Sequence, residues 1–183
     1  MRYLKVYAQD RSGNGHANVV KLRFYKKSAC GRAVLLNKAI AVDFSRDGKV
    51  DHREGDVTNN GIFDACDDAL LSRFANTYLK LNWFNDRDAS SRYMHVFAKG
   101  VYTDGMPDTV FLHMHEGTDE ASRKTLVAWS AVCDVDNNGR PDWNIYSDVN
   151  RDGVVNDSDL IIVQQLADMF LKFNWYTPGT GFV

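Results

Sequence analysis

The residues with the most chemical content are the carboxylates and amides of Asp148-Val-Asn-Arg-Asp-Gly-Val-Val-Asn-Asp-Ser-Asp159. Counted from Asp148, side-chain oxygens fall at positions 1, 3, 5, 9 and 12, on Asp148, Asn150, Asp152, Asn156 and Asp159. Gly153 stands at position 6, and Val154 at position 7 would contribute its backbone carbonyl. Calcium is a hard cation that takes about six to eight oxygens, so the chain must wrap around one point and bend sharply midway. The order of ligands and the placing of the glycine are those of a calcium-binding loop.

Three other segments repeat the arrangement. Asp43-Phe-Ser-Arg-Asp-Gly-Lys-Val-Asp-His-Arg-Glu54 offers Asp43, Ser45, Asp47, the carbonyl of Lys49, Asp51 and Glu54. Asp56-Val-Thr-Asn-Asn-Gly-Ile-Phe-Asp-Ala-Cys-Asp67 offers Asp56, Thr58, Asn60, the carbonyl of Ile62, Asp64 and Asp67. Asp134-Val-Asp-Asn-Asn-Gly-Arg-Pro-Asp142 offers Asp134, Asp136, Asn138, the carbonyl of Arg140 and Asp142, but places Ile145 where the last ligand belongs. That loop needs a further oxygen from elsewhere, such as Asn144 or Asp148. The segments around Gly15 and Gly105 are poorer: Lys21 takes the last position of the first, and the second lacks its first two ligands. Both are read as hairpin turns.

The loops sit in an internal repeat. Arg2-Tyr-Leu-Lys-Val-Tyr-Ala8 matches Arg92-Tyr-Met-His-Val-Phe-Ala98 at an offset of 90. Asp43 matches Asp134 at 91, and Asp56 matches Asp148 at 92, so two single-residue insertions account for the drift. Leu79-Lys-Leu-Asn-Trp83 matches Leu171-Lys-Phe-Asn-Trp175. The alternation in Val20-Lys-Leu-Arg-Phe-Tyr25 is that of a half-buried strand. Strands are predicted over 4–8, 19–25 and 33–42, and again over 94–98, 109–115 and 125–132. A helix closes each copy, over 67–81 and 159–173. Leu70, Leu71, Phe74, Tyr78 and Leu81 line one face of the first helix, and Ile162, Val163, Leu166, Phe170 and Phe173 line that of the second. Trp83 and Trp175 then anchor the helix ends to the core.

The expected fold is therefore α+β: two tandem copies of a module with a small antiparallel sheet, paired EF-hand-like calcium loops and one helix. The first module is expected to span residues 1–87 and the second 88–183, with a polar linker at 85–91 and the two helices packed across a pseudo-twofold axis.

Composition agrees with loops that collect carboxylates. Of the 24 acidic residues 21 are Asp, which competes with helical backbone and favours turns. An apolar content of 44 % supports a folded core. Cys30, Cys66 and Cys133 form no zinc-type pair, and no apolar run approaches the roughly 18–20 residues of a membrane span. Basic residues are scattered along the chain, so nucleic acid is not implied.

Asp148–Asp159 followed by Leu160-Ile-Ile-Val-Gln-Gln resembles the calcium-loop-plus-helix repeat of dockerin domains, the modules that plug into cohesins. Asp56–Asp67 followed by Asp68-Ala-Leu-Leu-Ser-Arg-Phe is similar, with Asp67 and Asp159 just before the helix as in that family. The resemblance covers about 25 residues of each copy and implies calcium binding and a protein partner. In this chain the two repeats lie 92 residues apart with strands between them, unlike the closely spaced dockerin pair.

Other constellations are weaker. His113 and His115 alternate along one strand and could hold a transition metal with Glu116, but Arg23 and Tyr25 occupy the matching places in the first copy. An exposed strand face is the expected reading. Asp67 with Asp68, or Asp157 with Asp159, are explained as calcium ligands and helix caps rather than acid/base pairs. No nucleophile or phosphate-loop motif occurs.

The sequence thus points to a non-enzymatic, secreted or cell-surface protein holding three to four Ca2+ ions. Its Asp-rich loops would stabilise a module for binding a protein partner or for self-assembly. The alternatives are a structural subunit of a calcium-dependent adhesin, surface layer or filament, using the tail 176–183 and strand edges, and an accessory module of a secreted hydrolase.

Overall fold

A computed structural model describes residues 1–85, 91–100, 107–117, 120–136, 138 and 140–176. Most of the polar linker, the Gly105 turn, Gly139 and nearly all of the tail lie outside the described residues.

Eight antiparallel strands form one sheet. The first half contributes β1 (Arg2–Gln9), β2 (Val19–Lys27), β3 (Ala33–Val42) and β4 (His52–Glu54), followed by helix α1 (Ala65–Tyr78). The second half contributes β5 (Arg92–Lys99), β6 (Thr109–Glu116), β7 (Leu126–Cys133) and β8 (Trp143–Ile145), followed by helix α2 (Asp157–Lys172). The strand order is β4-β3-β2-β1-β5-β6-β7-β8. The halves meet where β1 pairs β5, with Leu4 opposite Val96, Lys5 opposite His95 and Val6 opposite Met94.

This overturns the expectation of two tandem modules, each with its own small sheet, paired loops and helix. The molecule is mostly β, one continuous sheet with two helices among the described residues. A separate four-stranded sheet would leave β1 or β5 as a long edge with unpaired N–H and C=O groups, and joining the halves removes both edges. The outermost strands are β4 and β8, three residues each, which pair only Ile40–Val42 of β3 and Ala131–Cys133 of β7, so residues 33–39 and 126–130 have no strand partner on their outer side. Strand periodicity does not reveal β4 or β8, because each is a three-residue segment at the end of a carboxylate-rich loop.

Alternation assigns the two faces. Leu4, Val6, Leu22, Phe24, Met94, Val96 and Leu112 point inward and are buried. Both helices lie on that side and touch each other: the Phe74 and Phe173 rings are 5.3 Å apart, and the Thr77 hydroxyl donates to Gln165 Oε1 at 3.3 Å. Polar atoms on this side find partners on the sheet. The Tyr78 hydroxyl donates to the Val6 carbonyl at 3.0 Å, and Trp175 Nε1 donates to the Tyr3 carbonyl at 3.1 Å. Trp83 and Trp175 are both buried, as core anchors at the helix ends would be.

Candidate metal centre

The Asp134 loop is the hairpin between β7 and β8, so two paired strands fix its ends. The Asp142 N–H donates to the Cys133 carbonyl at 2.8 Å, and the Asp134 N–H to the Asp108 carbonyl at 2.8 Å. Between these clamps Asp134, Asp136 and Asp142 each bring a carboxylate oxygen within 4.8 Å of the others. The chain turns so that the Asn138 N–H donates to Asp134 Oδ1 at 3.1 Å, while its amide nitrogen donates to Asp136 Oδ2 at 2.7 Å. The Val135 N–H takes one oxygen of Asp142. Three carboxylates this close repel one another, and a divalent cation relieves that repulsion while finding hard oxygen ligands. Arg140 places its N–H on Asn138 Oδ1 at 2.8 Å, which holds the position-7 residue against the turn.

Among the described residues no other group of three carboxylate, imidazole or thiol ligands is as close as this one. The loops with more complete ligand spacing arrange their carboxylates differently. In the Asp148 loop the first carboxylate accepts the N–H of Asp152 at 3.1 Å and that of Gly153 at 2.9 Å. Asp159, fully buried at the start of α2, accepts from Val149 and Asn150 on Oδ1 and from Asn156 on Oδ2. Asp152 accepts the Val154 N–H and an Asn150 amide proton, and these bonds, the Val154 one first, hold its carboxyl below the usual range. Asn156 caps α2 by accepting from the Ser158 N–H at 2.7 Å. The side chains at the ligand positions therefore close the loop on its own backbone.

The Asp56 loop follows the same plan. Asp56 accepts from Asn60 and Gly61, Thr58 donates its hydroxyl to Asp56, and Asp64 caps α1. Asp67 accepts from the Thr58 N–H at 2.8 Å and the Asp64 N–H at 3.0 Å. Burial alone would raise the Asp67 carboxyl, but these N–H groups outweigh it and hold the carboxyl below its ordinary value. The Ile62 N–H donates to Asn60 Oδ1, and the Ile62 side chain is exposed.

In the Asp43 loop the ninth position does the work of the twelfth. Asp51 Oδ2 accepts from the N–H of Phe44 at 2.7 Å and of Ser45 at 2.8 Å, and the Ser45 bond leads in depressing its pKa. Asp43 accepts from Gly48, and Asp47 from the Lys49 N–H. Glu54, read as the closing ligand, belongs to β4 opposite Ile40 and is exposed there. Gly48, Gly61 and Gly153 have φ of +83°, +96° and +91°, so the sharp bend at position 6 does require glycine.

Of the two donors expected to complete the Asp134 site, Asp148 is committed to its own loop. Asn144 sits on β8 opposite Val132, with its Oδ1 buried and without a hydrogen-bond partner. Ile145 is opposite Ala131 on the other face.

The histidines also differ from expectation. His115 is only 2 % exposed, stacked on Tyr93 at 5.1 Å, with Nδ1 2.9 Å from the Thr125 hydroxyl. The Tyr93 ring and Thr125, in the turn before β7, lie against it, and neither contact is visible in strand periodicity.

None of the comparisons, with family models, curated proteins or solved structures, finds a match to this chain. The likeness to dockerin repeats rests on the loop-and-helix residues alone.

Proposed function

We propose that this chain is a non-catalytic calcium-binding protein working outside the cytosol, where an ion held by Asp134, Asp136, Asn138 and Asp142 staples the β7–β8 hairpin. The observation that carries the reading is the approach of three carboxylates to within 4.8 Å on a hairpin clamped at both ends. The Asp43, Asp56 and Asp148 loops are proposed as weaker sites, because among the described residues only the Asp134 loop brings three carboxylates this close together. An ion present at about 100 times its dissociation constant adds roughly 2.7 kcal/mol to stability, a large share of a domain's net stability. Abundant extracellular calcium suits loops of modest affinity.

The calcium-bound sheet would present its surface to a protein partner. Self-assembly by strand addition is the second form of that reading, since β4 and β8 pair only Ile40–Val42 of β3 and Ala131–Cys133 of β7 and leave the rest of those strands without an outer strand partner. Isothermal titration of the EDTA-stripped protein with CaCl2, alongside melting curves, tests the proposal. It expects saturable heat, lost in Asp134→Asn, and a rise in Tm that Mg2+ does not match. Absence of heat and of any Tm change at millimolar calcium would refute it.

A further inference from the structure

The outward face of the sheet carries a line of residues that the register sets side by side across six strands. Lys38 on β3 is opposite Arg23 on β2, and Arg23 is opposite Lys5 on β1. Lys5 is opposite His95 on β5, His95 opposite His113 on β6, and His113 opposite Trp129 on β7. With neighbouring strands about 4.8 Å apart, the line runs roughly 24 Å.

Its two halves differ in chemistry. Lys38, Arg23 and Lys5 are three cations on adjacent strands, an arrangement that destabilises a sheet by itself. No ion pair joins any of them to a carboxylate among the described residues. Two shallow clefts flank them. One of about 340 Å³ is lined by Lys21, Arg23, Lys38 and Glu54, and one of about 420 Å³ by Lys5, Tyr25, Lys27 and Glu120. Cations outnumber carboxylates in both. The other half is uncharged. Burial, then the two neighbouring histidines and Lys5, push His95 down to about 3, so it is neutral at ordinary pH. The line ends on Trp129, which is 41 % exposed.

We propose that this line is a groove for an acidic polysaccharide, with carboxylates against Lys38, Arg23 and Lys5 and a sugar ring against Trp129. The charge is complementary, and a chain of uronic acids supplies both carboxylates and apolar ring faces along one extended ligand. Single-stranded nucleic acid fits less well, because stacking successive bases needs several open aromatic faces along the line, and Trp129 is the one that it carries. Here Tyr3 stacks on Tyr25 at 5.2 Å, Phe97 on Phe111 at 5.2 Å, and the Lys5 ammonium sits 3.7 Å from the Tyr93 ring centre. An acidic peptide would meet the indole only through an added apolar side chain, whereas a sugar chain presents a ring face at every unit. The groove does not require an ion in the Asp-rich loops, so it stands or falls separately from the calcium reading.

Biolayer interferometry on immobilised polygalacturonate, in EDTA to prevent calcium bridging, tests the groove. The wild-type chain binds, and the triple variant Lys5→Gln/Arg23→Gln/Lys38→Gln binds at least about tenfold more weakly. Trp129→Ala weakens binding with every charge in place, which general charge attraction would not do. A helix-side control, Arg73→Gln/Lys80→Gln/Lys172→Gln, binds as wild type; all three residues are exposed away from the groove. The proposal is overturned if wild type does not bind, or if the helix-side control loses as much as the triple variant. Tighter binding to poly(U) or to poly-glutamate than to polygalacturonate also overturns it, assigning the face to nucleic acid or to an acidic protein.

Discussion

Lys5 and His95 stand directly opposite each other at the centre of the sheet, and they are also equivalent positions of the internal repeat, 90 residues apart. The pseudo-twofold axis therefore passes between them. The pairs on either side obey the same rule, since Leu4 meets Val96 and Val6 meets Met94. The chain reproduces within itself the isologous contact of a symmetric dimer, in which one patch pairs with its own copy.

This relationship predicts how the halves behave apart. Residues 1–87 expressed alone expose β1 as an edge, and their symmetric self-pairing would set Lys5 against Lys5, a like-charge contact that destabilises a sheet. Residues 88–183 would set His95 against His95. Mixing the two restores Lys5 opposite His95 and the Phe74–Phe173 contact. Size-exclusion chromatography with light scattering should then give a 1:1 complex in preference to either homodimer. Two folded, non-interacting monomers would show that the halves do not need the shared sheet.

Much of this architecture is legible in the residues. The six long strands and two helices follow from period-2 and period-3.6 patterning, and the repeat marks which segments are equivalent. What patterning cannot show is which strand edges meet. Arg2–Ala8 and Arg92–Ala98 alternate alike whether each ends a small sheet or the two join one large sheet. The loops carry a similar ambiguity. An Asp at the third position of a helix can be a calcium ligand or an acceptor for backbone N–H groups, and Asp67 and Asp159 take the second role through bonds that spacing does not specify. The cationic line is hidden for a related reason, because Lys5, Arg23 and Lys38 are scattered in sequence and adjacent only through register.

Asp159 gives a prediction independent of calcium. Its carboxylate holds the N–H groups of Val149, Asn150 and Asn156 at the buried start of α2. Asp159→Ala leaves these donors without their acceptor and removes half of the capping box, which should cost about 2–4 kcal/mol. Urea unfolding in EDTA should show that loss undiminished, with Asp159→Asn retaining part of it. A destabilisation that appears only when calcium is present would instead make Asp159 chiefly a ligand.

The histidines set an acid dependence. His115 is pushed down to about 4, first by burial and then by His113 and Lys5, from an ordinary value of 6.5. Its folded-state value is depressed, so the unfolded chain binds more protons below about pH 6.5. Stability is therefore fully present above that pH and is lost as pH falls toward 4. His95 acts in the same direction. Between pH 6.5 and 5, where most carboxylates stay ionised, His115→Gln should show a shallower decline in Tm than wild type. Parallel slopes for the two proteins would remove His115 as a source of the acid sensitivity.

Asp142 separates an ion-binding role from a purely structural one. Its Oδ2 accepts the Val135 N–H, and Asn at this position keeps an oxygen for that bond while removing one of three converging charges. In EDTA, Asp142→Asn should match wild type within about 1 kcal/mol, or even exceed it as carboxylate repulsion falls. In millimolar calcium it should fall short by roughly 2–3 kcal/mol, the linkage term of an ion it no longer holds. The comparison with Asp148→Asn then ranks the loops. Asp148 already spends both oxygens on the N–H groups of Asp152 and Gly153, so its calcium-dependent loss should be the smaller of the two. The opposite ranking, read from paired urea titrations with and without calcium, would place the tighter site where the helix begins rather than on the hairpin.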